Sequence, residues 1–288
     1  MSGLSLASAV TGHAAPDAPR DFCRTLAHHA VRCLHEELVL YPKPGLVSLV
    51  DNGSHDDMDA ATFMRSLFSL RRYFADIATA GQAGAPFRQL QQLGIAAERR
   101  MLRATGGINT HRGAIFCLGL LCAAIARCRR QGIPVTADAI RRTLLMHWGD
   151  SLAVHATTNG QGARQQGAQA FPAVFDTALP QLRVTLAAGR GWRCAKIDAL
   201  FALMANLDDS NVLRRGGDAG AAFVRERSMA FLAAGGTAHA GWETQALDIH
   251  REFVRRRLSP GGAADLLAAA CLVHTVATDT PTTPRRAP

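Results

Sequence analysis

Two glycines, an amide, a hydroxyl, an imidazole and a guanidinium stand almost side by side in Thr105-Gly106-Gly107-Ile108-Asn109-Thr110-His111-Arg112. The glycines let the backbone take positive φ and come close to a ligand. Asn109 and Thr110 are good N-cap types. From Ala114 to Ala126 no side chain is charged or strongly polar. A run of that length fits a buried helix and falls short of the about 20 residues that span a bilayer. A helix apolar on all sides lies at the centre of its domain. Its N-terminus, with backbone N–H groups and Arg112 beside it, suits an anion, and His111 could exchange a proton there. A plain cap and a solvated arginine explain these residues one at a time; together they point to a site.

The same mixture recurs elsewhere. Tyr41-Pro42-Lys43-Pro44-Gly45 is a stiff loop carrying one lysine. His55-Asp56-Asp57-Met58-Asp59 opens a helix, so its carboxylates read either as caps or, at Asp56 and Asp57, as oxygen ligands for Mg²⁺. Asp208-Asp209-Ser210-Asn211 runs into Arg214-Arg215-Gly216-Gly217, and Ser259-Pro260-Gly261-Gly262 leads to Asp265. Asp265, in the first turn of the last helix, reads as a cap rather than a catalyst. These ingredients suit a polyphosphate held by arginines and helix N-termini, with Mg²⁺ on the carboxylates. Walker-A, Gly-x-Gly-x-x-Gly and His-Glu-x-x-His patterns are absent, as are a serine nucleophile elbow and a Cys/His/Asn signature.

The elements that must position these residues are helices. Apolar residues recur at helical spacing over 20–41, 60–80, 87–102, 136–147, 192–207, 219–234, 242–258 and 263–276, with the buried central helix at about 113–128. Glu98 falls one turn before the end of its helix. No alternating β-branched run appears, so the class is all-α, with about ten helices in one domain. Segment 155–171 reads as a long polar loop with room for one short helix, and 208–217 reads as a polar connection between helices. The catalytic domain is expected over 21–276, between a flexible leader, 1–20, and a flexible tail, 277–288.

Composition supports this reading. The 288 residues are 48% hydrophobic, 19% charged and only 6% aromatic, a globular rather than disordered balance that favours helix packing. The net charge of +9, carried mainly by arginine, attracts anionic partners. No basic run is interleaved with aromatics, so a nucleic-acid groove is the weaker reading. Seven cysteines without a Cys-x-x-Cys pair read as reduced, buried thiols of a cytoplasmic protein. No secretory signal pattern opens the chain, and no membrane partner is expected. A homo-oligomer is left open.

Five blocks, taken in order, resemble triphosphoribosyl-dephospho-CoA synthases: Pro42 to Val47, Gly53 to Asp59, Thr105 to Phe116, Asp208 to Gly217 and Leu258 to Leu267. The stand-alone chain resembles the form that serves malonate decarboxylase, and citrate lyase has a related enzyme. The family usually has His where Arg214 stands. Its central loop usually carries His-Gly and Gly-Phe-Pro where this chain has His155-Ala156 and Ala170-Phe171-Pro172.

The resemblance implies that ATP gives its triphosphoribosyl group to the 2′-hydroxyl of 3′-dephospho-CoA and that adenine leaves. The product would be the prosthetic-group precursor for the acyl carrier subunit of malonate decarboxylase. Such a step resembles glycoside cleavage: positive charge builds at C1′, adenine takes a proton and the hydroxyl loses one. Asp208, Asp209 and Glu98 are candidate carboxylates, and His111 is a candidate acid. Lys43, Arg112 and Arg215 would hold phosphates, with Gly106, Gly107, Asn109, Thr110, Gly216, Gly217, Ser259 and Gly261 shaping the substrate site. Asp56 and Asp57 would bind Mg²⁺. Two rivals are a His-Asp metal-dependent phosphohydrolase, prompted by His55-Asp56, and a basic helical module that binds nucleic acid.

Overall fold

The structure, a computed structural model, describes residues 18–159 and 162–277; the expected leader before residue 18 and the expected tail after 277 lie outside the described residues. Among the described residues there are eleven α-helices and no strand. They are α1 (Ala18–Leu38), α2 (Ala60–Gln82), α3 (Phe87–Ala104), α4 (Arg112–Arg130), α5 (Ala137–Asn159), α6 (Ala163–Ala168), α7 (Leu179–Ala187), α8 (Gly191–Asn206), α9 (Ser210–Ala233), α10 (Trp242–Arg255) and α11 (Gly261–Val276). A π-helical turn, Ala173–Ala178, leads into α7.

The apolar run makes α4 the hub, packed by α1, α2, α3, α5, α6 and α11. Between Ala114 and Ala126 only Phe116 is not fully buried. Small residues permit the close crossings. A side chain at Gly119 would collide with the Tyr73 hydroxyl, which donates to the Ile115 carbonyl at 2.8 Å. The alanine-rich α11 is the second buried helix and joins α1 and α4 to α7, α8 and α9. α8 is buried on nearly every side because its neighbours α7, α9 and α11 surround it.

Three boundaries differ from the sequence expectation. α1 stops at Leu38, before the cis Tyr41–Pro42 bond, rather than at 41. α5 continues to Asn159 rather than ending near His147, and the short helix allowed for in the polar stretch 155–171 is α6; residues 160 and 161 lie outside the described residues. The stretch 208–217 is mostly helix. Asp209 caps α9 at Ser210, and the helical path is kinked where Gly217 takes φ 60° and ψ −163°. Gly217 marks a kink within α9.

All seven cysteines are free; six are buried and Cys194 is partly exposed. Among the described residues no helix is long and apolar enough to cross a membrane.

Candidate functional site

The functional segments meet where α4, α9 and α11 begin. Asp209 is the pivot. Its Oδ1 accepts from Asn211 N at 2.8 Å, capping α9, and its Oδ2 accepts from Ala263 N at 3.0 Å, capping α11. The N–H groups of Val212 and Gly262 also face it. Burial raises its pKa, and these four N–H groups oppose that rise. One turn along α11, Asp265 accepts from Ala114 N and so caps α4. A side chain at Gly113 would collide with that carboxylate. The α4 N-terminus expected to take an anion thus already carries protein acceptors, since Asn109 Oδ1 also takes Arg112 N at 3.2 Å.

Asp265 is the most perturbed carboxyl of the junction. Burial pushes its pKa well above the usual carboxylate range, and the nearby charges of Glu37 and Asp209 push it further. The residue as a whole keeps partial solvent exposure. The sequence gives little sign of this: Asp265 looks like any first-turn carboxylate, and only the fold brings Glu37 and Asp209 near it.

Lys43, expected at a phosphate, lies 1% exposed. Its Nζ donates to Glu37 Oε1 at 2.6 Å and to the Glu37 carbonyl at 2.8 Å. Burial lowers its pKa while Glu37 supports the charged form. Its role here is to hold the loop after α1 and to neutralise a buried carboxylate. Glu37 was missed from sequence because a glutamate at a helix end looks like solvated charge.

His111 is buried beside this pair. Thr110 Oγ1 donates to Ser66 Oγ at 2.7 Å, which leaves Ser66 to donate to His111 Nδ1 at 2.6 Å. In that tautomer Nε2 carries the proton; the atom is buried without a hydrogen-bond partner. Burial, aided by the Lys43 charge, lowers the His111 pKa to about 3. At neutral pH the imidazole is therefore uncharged, which does not suit the acid expected for adenine.

The opposite side of the junction is cationic. Arg215 donates to the carbonyls of Ser54 at 3.0 Å and Arg257 at 3.3 Å, and to His55 Nδ1 at 2.9 Å. A guanidinium only donates, so His55 accepts at Nδ1 and donates from Nε2 to Ser259 Oγ at 2.8 Å. Burial and Arg215 lower the His55 pKa. Burial and the neighbouring Arg214 and Arg257 lower that of Arg215. Ser54 Oγ donates to the Leu258 carbonyl at 2.6 Å, and Gly45, at φ 69°, abuts that same carbonyl. Gly261 lies against the Asn211 amide and Gly216 against Leu258.

The remaining candidates lie around this junction. Arg112 donates from Nε to Glu98 Oε1 at 2.6 Å, both partly exposed. Gly106 and Gly107 take φ 69° and 91° and leave open space where a Cβ would stand. Asp208 points outward, 77% exposed, to Arg225 at 2.7 Å. Asp59 caps α2, whereas Asp56 faces Arg257 at 3.4 Å and Asp57 faces His55 at 3.5 Å. Among the described residues no group of three or more His, Cys, Asp or Glu side chains is arranged to hold a metal ion. His55, flanked by a guanidinium, is no metal ligand of the His-Asp kind.

The CitG family, described as ATP:dephospho-CoA triphosphoribosyl transferase, matches residues 23–282. The chain belongs to that family. Proteins named probable 2-(5''-triphosphoribosyl)-3'-dephosphocoenzyme-A synthase are similar to it. The one from Acinetobacter calcoaceticus is 38% identical over 84% of this chain and 90% of its own length. Relatives from Pseudomonas putida, 41% identical over 86% and 92%, and Vibrio cholerae strain M66-2, 36% identical over 87% and 88%, carry the same name. No solved structure matches the chain. The departures from the usual family motif have visible settings. Arg214 adds charge next to Arg215. Ala170, where the family usually has Gly, takes φ 54° in the buried turn after α6.

Proposed function

We propose that this protein transfers the triphosphoribosyl group of ATP to the 2′-hydroxyl of 3′-dephospho-CoA and releases adenine. The observation that carries the reading is the meeting of all five blocks at the junction of α4, α9 and α11, in a chain of this family. In the reaction the C1′–N9 bond breaks and a C1′–O2′ bond forms. The acceptor hydroxyl loses a proton and adenine takes one.

Asp265 is the group we assign to carry a proton at this bond, because its raised pKa keeps the neutral carboxyl populated where an ordinary aspartate has ionised. Glu98 is the partly exposed carboxylate nearest Arg112 and would stabilise charge at C1′. Asp209 is assigned a positioning role because backbone N–H groups of two helices occupy its oxygens. His111 serves as a neutral hydrogen-bond donor. Arg215, flanked by Arg214 and Arg257, and Arg112 would hold the triphosphate.

Mg²⁺ commonly uses one or two carboxylates together with substrate phosphates. Asp56 and Asp57, exposed beside the arginines, fit that pattern and would hold the ion with ATP; it would offset phosphate charge. The product would be the prosthetic-group precursor delivered towards the acyl carrier subunit of malonate decarboxylase. The test is incubation with ATP, Mg²⁺ and dephospho-CoA, followed by chromatography. Free adenine with an equal amount of adduct supports the reading, and phosphate release without adenine contradicts it.

A further inference from the structure

A second concave surface lies between the start of α3 and the end of α5. It is a shallow, largely open cleft of about 400 Å³ lined by Phe87, Gln91, Asp150, Ser151, Val154 and His155. Small-ligand pockets commonly span about 300–1,000 Å³. The helices tie it to the junction. Residues 87, 91 and 98 fall on one face of α3, within about 40° at 3.6 residues per turn. Glu98 on that face holds Arg112, and Phe116 follows Arg112 by one turn on α4. The Phe116 ring lies 6.3 Å from the His155 ring, which lies 5.5 Å from Phe87. From Glu98 to Phe87 the path is eleven residues of α3, about 16 Å at 1.5 Å each.

We propose that this cleft receives the pantetheine arm of dephospho-CoA, an inference that rests on the reaction proposed above. That reaction brings the ATP adenine and the acceptor's ribose together at C1′, so both adenines stay at the junction. Only the triphosphate and the pantetheine arm extend away from it. The cleft lining carries the Asp150 carboxylate, which disfavours phosphate. The arm begins beyond a diphosphate and has three short units joined by two amides, twelve bonds from ester oxygen to sulfur and about 14 Å when extended. Its amides match the Gln91 amide and the Ser151 hydroxyl. Its methyl and methylene groups match Phe87, the 68%-exposed Val154 and the His155 ring, whose pKa is lowered by burial and by Arg164 so that it stays uncharged.

The test is steady-state adenine release with Ser151→Trp, which fills the cleft from an exposed helix position, and Gln91→Ala, which removes an amide partner. ADP, carrying the acceptor's adenine, ribose and diphosphate without the arm, serves as the competing inhibitor. Ser151→Trp should raise KM for dephospho-CoA about tenfold or more and Gln91→Ala about threefold, with KM for ATP and the ADP inhibition constant within about twofold. Thermal melts establish that both variants fold. An unchanged KM for dephospho-CoA overturns the inference, and so does a parallel rise for ADP or ATP. Absence of adenine from the wild type overturns the underlying reaction instead, and the inference with it.

Discussion

Desolvation displaces Asp265 and His111 in opposite directions, because it favours the neutral form of each. For Asp265 that means a retained proton. Asp265→Asn keeps an oxygen for Ala114 N and removes the proton carrier. Its rate of adenine release should fall about 10²–10⁴-fold while the melting temperature is preserved or raised. A carboxyl with a raised folded pKa stabilises the fold below its unfolded pKa and loses that contribution as pH rises through the folded value. The advantage of the Asn variant in melting temperature should therefore grow from pH 5 to pH 8. For His111 the sign reverses. Between its ordinary value and about 3, the unfolded chain binds a proton that the folded chain does not. Urea unfolding of wild type and His111→Gln should show the wild type losing about 2 kcal/mol relative to the variant between pH 7 and pH 5. An unchanged difference would mean that the ring is not buried neutral.

At the scale of elements, one carboxylate holds two helices. Asp209 caps both α9 and α11, and each cap contributes about 0.5–2 kcal/mol. Asp209→Ala should lower the unfolding free energy by about 2 kcal/mol or more, whereas Asp208→Ala, which removes only an exposed pair with Arg225, should change it by about 1 kcal/mol or less. Equal effects in denaturant titrations would contradict the double cap. Periodicity made most of these helices legible. The apolar run from Ala114 to Ala126 announced α4 and its central place, and Asn109 and the glycines announced its start. The start of α9 was not legible, because Asp209-Ser210-Asn211 has turn composition and its cap is completed by a helix more than fifty residues later. The buried Lys43–Glu37 pair was also hidden, since spacing in a proline-rich loop does not reveal which way a lysine turns.

Across the whole molecule, residues from both halves of the chain converge on one junction whose inner side is acidic and whose outer side is basic. Arg215 links these parts by bonding Ser54, Arg257 and His55 with one guanidinium. Arg215→Ala should raise KM for ATP about tenfold or more, and Arg215→Lys should restore little of it, because an ammonium lacks the planar fork. Initial rates at varied ATP decide this, and an unchanged KM would return Arg215 to a purely structural role. The arginines at the junction were legible as glycine-flanked charge. Their assembly was not, because Arg257 joins Arg214 and Arg215 only through the fold.

The proposed reaction cuts the bond between ribose and base. ATP labelled with one isotope in adenine and another in ribose, turned over with Mg²⁺ and dephospho-CoA, tests it directly. The ribose label should enter the dephospho-CoA adduct while the adenine label appears as free base, one for one. Both labels remaining together in a released nucleotide, or moving together onto the acceptor, would contradict it.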